Sequence, residues 1–227
     1  MTPATAMPLH LLYGGTFDPV HLGHLAVARA ALATTGAARL DFVPAADPPH
    51  RGPPGAAFAD RLDLLRVALA SEPPPAVGTW SVDPREGARQ GRSYTVDTLR
   101  EWRREHGAAA PLGFVLGADA FLGLTGWHEW PALFDLAHLL VARRPGSALA
   151  GLPEALRTAL EARWATDPAD FHTAAAGRIA VLDLPLQPES ATAVREAVAG
   201  RRAPFGLPGA VGALIAARGL YRDPAPG

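Results

Sequence analysis

The run Gly14-Gly15-Thr16-Phe17-Asp18-Pro19-Val20-His21-Leu22-Gly23-His24-Leu25 decides how this 227-residue chain is read. It follows a strand-type run, Leu9 to Tyr13, and leads into a helix-length segment from Leu22 to about Thr35. Two glycines where a strand hands over to a helix let the backbone approach a ligand and adopt conformations closed to other residues. The amides at the helix start favour an anion. His21 and His24 are three apart, so on a helix they share one face and point at whatever that end binds, with Gly23 leaving space between them. Two imidazoles at such a helix end suit phosphate chemistry, where fixed donors meet charge building on equatorial oxygens. Plainer readings stand beside this one. Gly14-Gly15 can be a simple turn, and Asp18-Pro19 an ordinary helix start with the Asp as cap. The two histidines can be metal ligands, although no third-ligand pattern accompanies them.

Outward from this stretch, β-type and helical runs alternate. Arg39 to Pro44 reads as a second strand, and Phe58 to Leu69 as a helix with Phe58, Leu62, Leu65 and Leu69 on one face. Val77 to Val82 is a candidate third strand. From Thr95 to His106, Val96, Leu99 and Trp102 form an apolar stripe opposite Arg100, Arg103 and Arg104. Leu112 to Leu116 and Leu139 to Ala142 are buried-strand candidates. The alternation predicts an α/β fold, a Rossmann-like doubly wound parallel sheet with helices on both faces. In such sheets ligands sit beyond the carboxyl ends of the strands, so the loops starting at Gly14, Pro44, Gly117 and Arg143 matter most. Pro153 to Trp164 reads as a helix, Ile179 to Leu184 as a strand, and Ala191 to Ala199 and Pro208 to Ala217 as two closing helices. The expected organisation is one domain over 1–227, an α/β core at about 9–183 followed by a helical C-terminal extension at 184–222.

Composition excludes several chemistries. With 48% hydrophobic and 19% charged residues the chain can bury a core. Twenty-one basic side chains against 22 acidic ones leave a net charge of -1, which argues against a nucleic-acid partner. The absence of cysteine removes thiolate nucleophiles and cysteine-ligated metals. All the basic residues are arginine, so a Schiff-base lysine, a P-loop lysine and a lysyl–nucleotide intermediate are excluded as well. No run reaches the roughly 18 apolar residues of a membrane span, and no signal-type segment stands out; the expectation is a cytoplasmic protein with no membrane partner.

Residues 14–25 resemble the GxFxPxHxGH signature of the HxGH nucleotidyltransferase superfamily, in the form found in its nicotinate mononucleotide adenylyltransferase branch. Pro48-Pro49-His50-Arg51 is similar to that branch's PPH(K/R) loop, and Ser93-Tyr94-Thr95 with Thr98-Leu99 to its SYT..TL segment. Gly117-Ala118-Asp119 resembles its GxD, Trp127 its substrate-stacking tryptophan, and Arg143-Arg144-Pro145-Gly146 its RPG loop. Ser190-Ala191-Thr192-Ala193-Val194-Arg195 resembles the second signature, S(S/T)TxxR, and the likeness runs to the closing Gly219-Leu220-Tyr221. Two positions depart from the pattern: Glu189 stands where the family usually has Ile, and His128 where Tyr often follows the tryptophan.

The resemblance implies adenylyl transfer from ATP to nicotinate mononucleotide, giving nicotinate adenine dinucleotide and pyrophosphate, with Mg²⁺ on the ATP phosphates. It implies that His21, His24 and Arg195 are catalytic. Gly14, Gly15, Thr16, Phe17, Gly117, Asp119, Ser190 and Thr192 join them around ATP, while Ser93, Tyr94, Thr95, Trp127 and Arg143 serve the acceptor. Read without the resemblance, Ser93 or Thr95, Asp119, and Ser190 or Thr192 can be helix caps, Trp127 and Trp130 core residues, and Arg201-Arg202 a solvated pair. A pantetheine-phosphate or nicotinamide mononucleotide acceptor, a cytidylyltransferase, or a regulator that only binds nucleotide are the competing functions. Nothing in the sequence speaks to oligomeric state.

Overall fold

The computed structural model describes residues 7–49, 52–143, 151–184 and 190–222. In chain order the elements begin β1 (His10–Gly15), α1 (Leu22–Thr35), β2 (Arg39–Pro44), α2 (Phe58–Ser71), β3 (Thr79–Val82), α3 (Thr95–His106) and β4 (Leu112–Gly117). There follow α4 (Ala118–Leu122), α5 (Leu133–Leu136), β5 (His138–Arg143), α6 (Glu154–Leu160), α7 (Asp170–Thr173), β6 (Ile179–Asp183), α8 (Ala191–Ala199) and α9 (Gly209–Arg218). The strands form one parallel sheet in the order β3-β2-β1-β4-β5-β6. This is the expected doubly wound α/β architecture, whose order reverses between β1 and β4 and opens a crevice there at the carboxyl ends.

Strand residues alternate between the two faces. Leu11, Tyr13, Leu40, Phe42, Val115 and Leu140 pack with α1, α2 and α9. Leu12, Val43, Phe114, Leu116, Leu139 and Val141 pack with α3, α4, α5 and α6. A period of two with both faces apolar is what a sheet covered on both sides requires. The C-terminal helices are present as predicted, and α9 lies against α2. Among the described residues no helix is long and apolar enough to cross a membrane.

Of the element boundaries that differ from the sequence reading, three have clear local reasons. β3 starts at Thr79 because Gly78 takes φ +65, where an added Cβ would meet Ala37 O at 2.4 Å. The helix expected to reach Trp164 stops at Leu160. Beyond it the chain pairs with β6: Ile179 N–H donates to Arg163 O and Ala165 N–H to Ile179 O, both at 2.8 Å. Gly14 and Gly15 belong to β1, facing Val43 and Pro44 across the ladder, rather than to the loop after it.

Candidate active site

A cleft of about 590 Å³ opens at the β1/β4 switch point. Its floor explains the two glycines. A Cβ on Gly14 would lie 2.5 Å from Phe114 Cζ, and one on Gly15 2.8 Å from Phe17 Cζ. Neither takes a positive φ; the left-handed conformation expected of the glycines falls on Phe17, at φ 47. The two glycines are therefore needed for space. Phe17 is 2% exposed, its ring set edge-on against Tyr13, Phe42 and His24 at 5.0–5.5 Å between centroids.

His21 is not a helical residue. It caps α1 with an extended backbone, φ -140 and ψ 170. Its N–H donates to His24 Nδ1 at 3.2 Å, and the two rings lie 3.8 Å apart at 31°. The imidazoles come together through this capping turn rather than through a shared helical face. Because Nδ1 of His24 accepts, the proton of its neutral ring sits on Nε2. Two amides expected to await an anion are already engaged: that of His21 by His24, and that of Leu22 by Gly206 O at 2.8 Å.

Asp18 is not the cap of α1. Its buried carboxylate accepts from Gly55 N–H at 2.7 Å, Ala56 N–H at 3.2 Å and the Tyr221 hydroxyl at 2.8 Å. Arg61 on α2, 1% exposed, donates to Thr16 O at 2.6 Å, Ala56 O at 3.2 Å and Ala46 O at 3.4 Å. The second signature reaches the same turn. Arg195 Nη1 donates to Asp18 O at 2.6 Å, closing a contact between residues 177 apart, while Nη2 donates to Thr192 Oγ1 at 3.3 Å. Ser190 caps α8, its Oγ accepting from Ala193 N–H at 3.1 Å.

On the other side of the cleft, Ser93 does not cap α3. Its Oγ accepts from Ala46 and Asp47 N–H, at 3.0 and 3.2 Å, and latches the loop after β2. Tyr94 is the cap residue of α3, and its ring lies 4.5 Å from that of His128. Thr95, Gly117, exposed Asp119 and half-buried Trp127 line the same cavity, and neither Thr95 nor Asp119 caps its helix. Trp130 stays outside it, edge-on to Phe134.

Of the predicted residues, Gly14, Gly15, Thr16, Phe17, His21, His24, Ser93, Tyr94, Thr95, Gly117, Asp119, Trp127 and Arg195 line one cavity. Ser190, Thr192 and Arg143 do not line it. His50, Arg51, residues 144–146 and Glu189 lie outside the described residues. Sequence reading missed Arg61, Tyr221 and Glu86, the last buried and accepting from Thr98 Oγ1 at 2.7 Å. A signal for Arg61 existed: it stands three residues after Phe58 and four before Leu65, on the apolar stripe of its helix.

A parallel α/β sheet whose switch point carries an imidazole pair, with an arginine drawn onto the same turn from a C-terminal helix, defines a nucleotidyltransferase. Residues 12–197 match the family model described as cytidylyltransferase-like. The chain is 51% identical over 224 residues to a probable nicotinate-nucleotide adenylyltransferase of Stenotrophomonas maltophilia, covering 97% of this chain and 100% of that one. It is 47% identical over 195 residues to a protein of the same name from Xylella fastidiosa, covering 84% and 85%. The chain belongs to the nicotinate-nucleotide adenylyltransferase family. Its fold is also that of the Plasmodium falciparum nicotinic acid mononucleotide adenylyltransferase complexed with NaAD, at TM-score 0.71 and 14% identity, over 94% of this chain and 97% of that one.

Proposed function

We propose that this protein transfers the adenylyl group of ATP to nicotinate mononucleotide, giving nicotinate adenine dinucleotide and pyrophosphate, a step of NAD biosynthesis. The observation that carries the reading is the meeting of His21, His24 and Arg195 on one turn at the switch point. A phosphate oxygen of the acceptor, already ionised at neutral pH, attacks the α-phosphorus in line. The bond to the bridging oxygen breaks and pyrophosphate leaves with the electron pair. No base and no covalent enzyme intermediate is needed, which suits a chain without cysteine or lysine. The protein's task is to align two anions and stabilise charge on the transferred group.

His21 and His24 hold the α- and β-phosphates, His24 by donation from Nε2. Arg195, with Ser190 and Thr192 on the same helix, holds the β- and γ-phosphates. Gly14, Gly15, Thr16 and Phe17 line the nucleotide, and Gly117 and Asp119 face its ribose. Trp127 stacks on the pyridine ring, with Ser93, Tyr94 and Thr95 beside it, and Arg143 stands at the margin. ATP arrives with its divalent cation, read here as Mg²⁺ and as part of the substrate. Among the described residues no three His, Asp or Glu gather into a metal site. The chain is read as a single nucleotidyltransferase domain working in the cytoplasm.

Pyrophosphate release measured with nicotinate mononucleotide, nicotinamide mononucleotide and phosphopantetheine tests the reading. The expected result is a kcat/KM at least about tenfold higher for the nicotinate acceptor, the worth of one charge-assisted hydrogen bond to its carboxylate. Release with phosphopantetheine alone, or ATP binding with no release for any acceptor, overturns it.

A further inference from the structure

Tyr221 lies 203 residues from Asp18 and donates its hydroxyl to Asp18 Oδ1 at 2.8 Å. It follows α9 through Gly219, at φ 63, and itself sits at φ 61, a left-handed conformation that a side chain of this size rarely adopts. Such a conformation persists only where the surroundings over-determine it. Here its ring closes on Gly55: a Cβ at that position would lie 3.2 Å from Tyr221 Cδ1 and 3.2 Å from Arg195 Cδ. One backbone segment thus receives both the phenol ring and the arm of the arginine. Burial first, and then the Asp18 charge, raise the Tyr221 phenol well above its ordinary range, so it stays a donor.

We propose that Tyr221, acting through the Asp18 carboxylate, is a positioning residue that holds Arg195 for the phosphates of ATP. The inference rests on the functional reading above. Arg195 Nη1 is fixed by the Asp18 carbonyl, while the carboxylate Oδ2 stands 3.8 Å away. The phenol and two backbone amides make the hydrogen bonds to that carboxylate, which leaves the guanidinium at ion-pair distance from it. Removal of the hydroxyl leaves Oδ1 with the Ala56 amide alone; Arg61, which also faces Asp18, is held by three backbone carbonyls, so the cation placed to compensate is Arg195. The guanidinium then turns toward Asp18 and away from the nucleotide.

Tyr221→Phe keeps the ring and removes only the donor. Its expected effect is a loss of about 10–100-fold in kcat, the scale of one hydrogen bond to a charged group, with KM for nicotinate mononucleotide changed less than about twofold. In an Arg195→Ala background the same substitution costs less than about twofold further, because the two residues act in series. Full turnover in Tyr221→Phe, or losses that multiply in the double variant, overturns the proposal. If thermal melting shows that Tyr221→Phe does not fold, Asp18→Asn in the same two backgrounds makes the comparison from the other end of the bond, and multiplying losses there also overturn it. Wild-type protein inactive with nicotinate mononucleotide would strike the functional reading instead; the coupling is then read from ATP affinity by calorimetry in the same variants.

Discussion

His24 combines two duties in one ring. Nδ1 accepts the His21 amide and so completes the first turn of α1, which places the proton of the neutral ring on Nε2. His24→Ala is therefore expected to lower turnover by roughly 10²–10³-fold, the scale of one transition-state donor. Loss of the capping bond costs only about 1 kcal/mol of stability, so the variant stays folded. Steady-state kinetics together with a denaturant melt separates these effects, and near-normal turnover in a folded variant would remove His24 from the chemistry. The pairing of the two imidazoles was legible in the sequence from their spacing. That His21 stands outside the helix was not, because the extended conformation of a cap depends on what the preceding turn packs against. Asp18 teaches the same lesson: beside Pro19 it reads as a cap, yet its partners come from residues 55, 56 and 221.

At the scale of elements, α2 does more than cover the sheet. Arg61 projects from it beneath the first signature and donates to three backbone carbonyls, one in the loop after β1 and two in the connection from β2 to α2. Arg61→Met is expected to leave those carbonyls without their donor and to destabilise the protein by about 2–4 kcal/mol. At this chain length that corresponds to a melting midpoint lower by roughly 5–15 °C. An unchanged midpoint in a thermal melt would show that the loops hold themselves. Where an element was misjudged, pairing or sterics decided it. The pattern running to Trp164 is helical in sequence, but its last residues gain more by hydrogen-bonding to Ile179 on β6. The bounds of α1, α3 and α8 match their reading, although of the caps offered by the sequence only Ser190 at α8 is used as one.

Across the whole molecule, two buried groups set the acid profile. His138 is fully buried at the start of β5; burial pushes its pKa down to about 4, outweighing the hydrogen bond to Ala174 O. The folded value lies below the unfolded value of 6.5, so this contribution is complete above pH 6.5 and is lost as the pH falls toward 4, on the order of 3 kcal/mol. His138→Gln is expected to differ from wild type less at pH 4 than at pH 7, and parallel urea-unfolding stabilities across that range would refute the assignment. A second window follows below it. Burial alone would raise Asp41, but hydrogen bonds from His10, Arg39 and Ser81 hold it at about 2, so its contribution is present above pH 3.8 and lost as the pH falls through 2. By itself the sequence determined the parallel α/β class and the positions of most strands and helices, which follow from periodicity, and pointed to many of the residues that line the cleft through motifs resembling a known family. Only the tertiary structure decided the strand order that opens the cleft between β1 and β4, and only it brought Arg61, Arg195 and Tyr221 to the turn at Asp18. Contacts between residues 45 to 203 positions apart leave no periodic trace in the chain; they exist only once the sheet has closed and buried charges must find partners there.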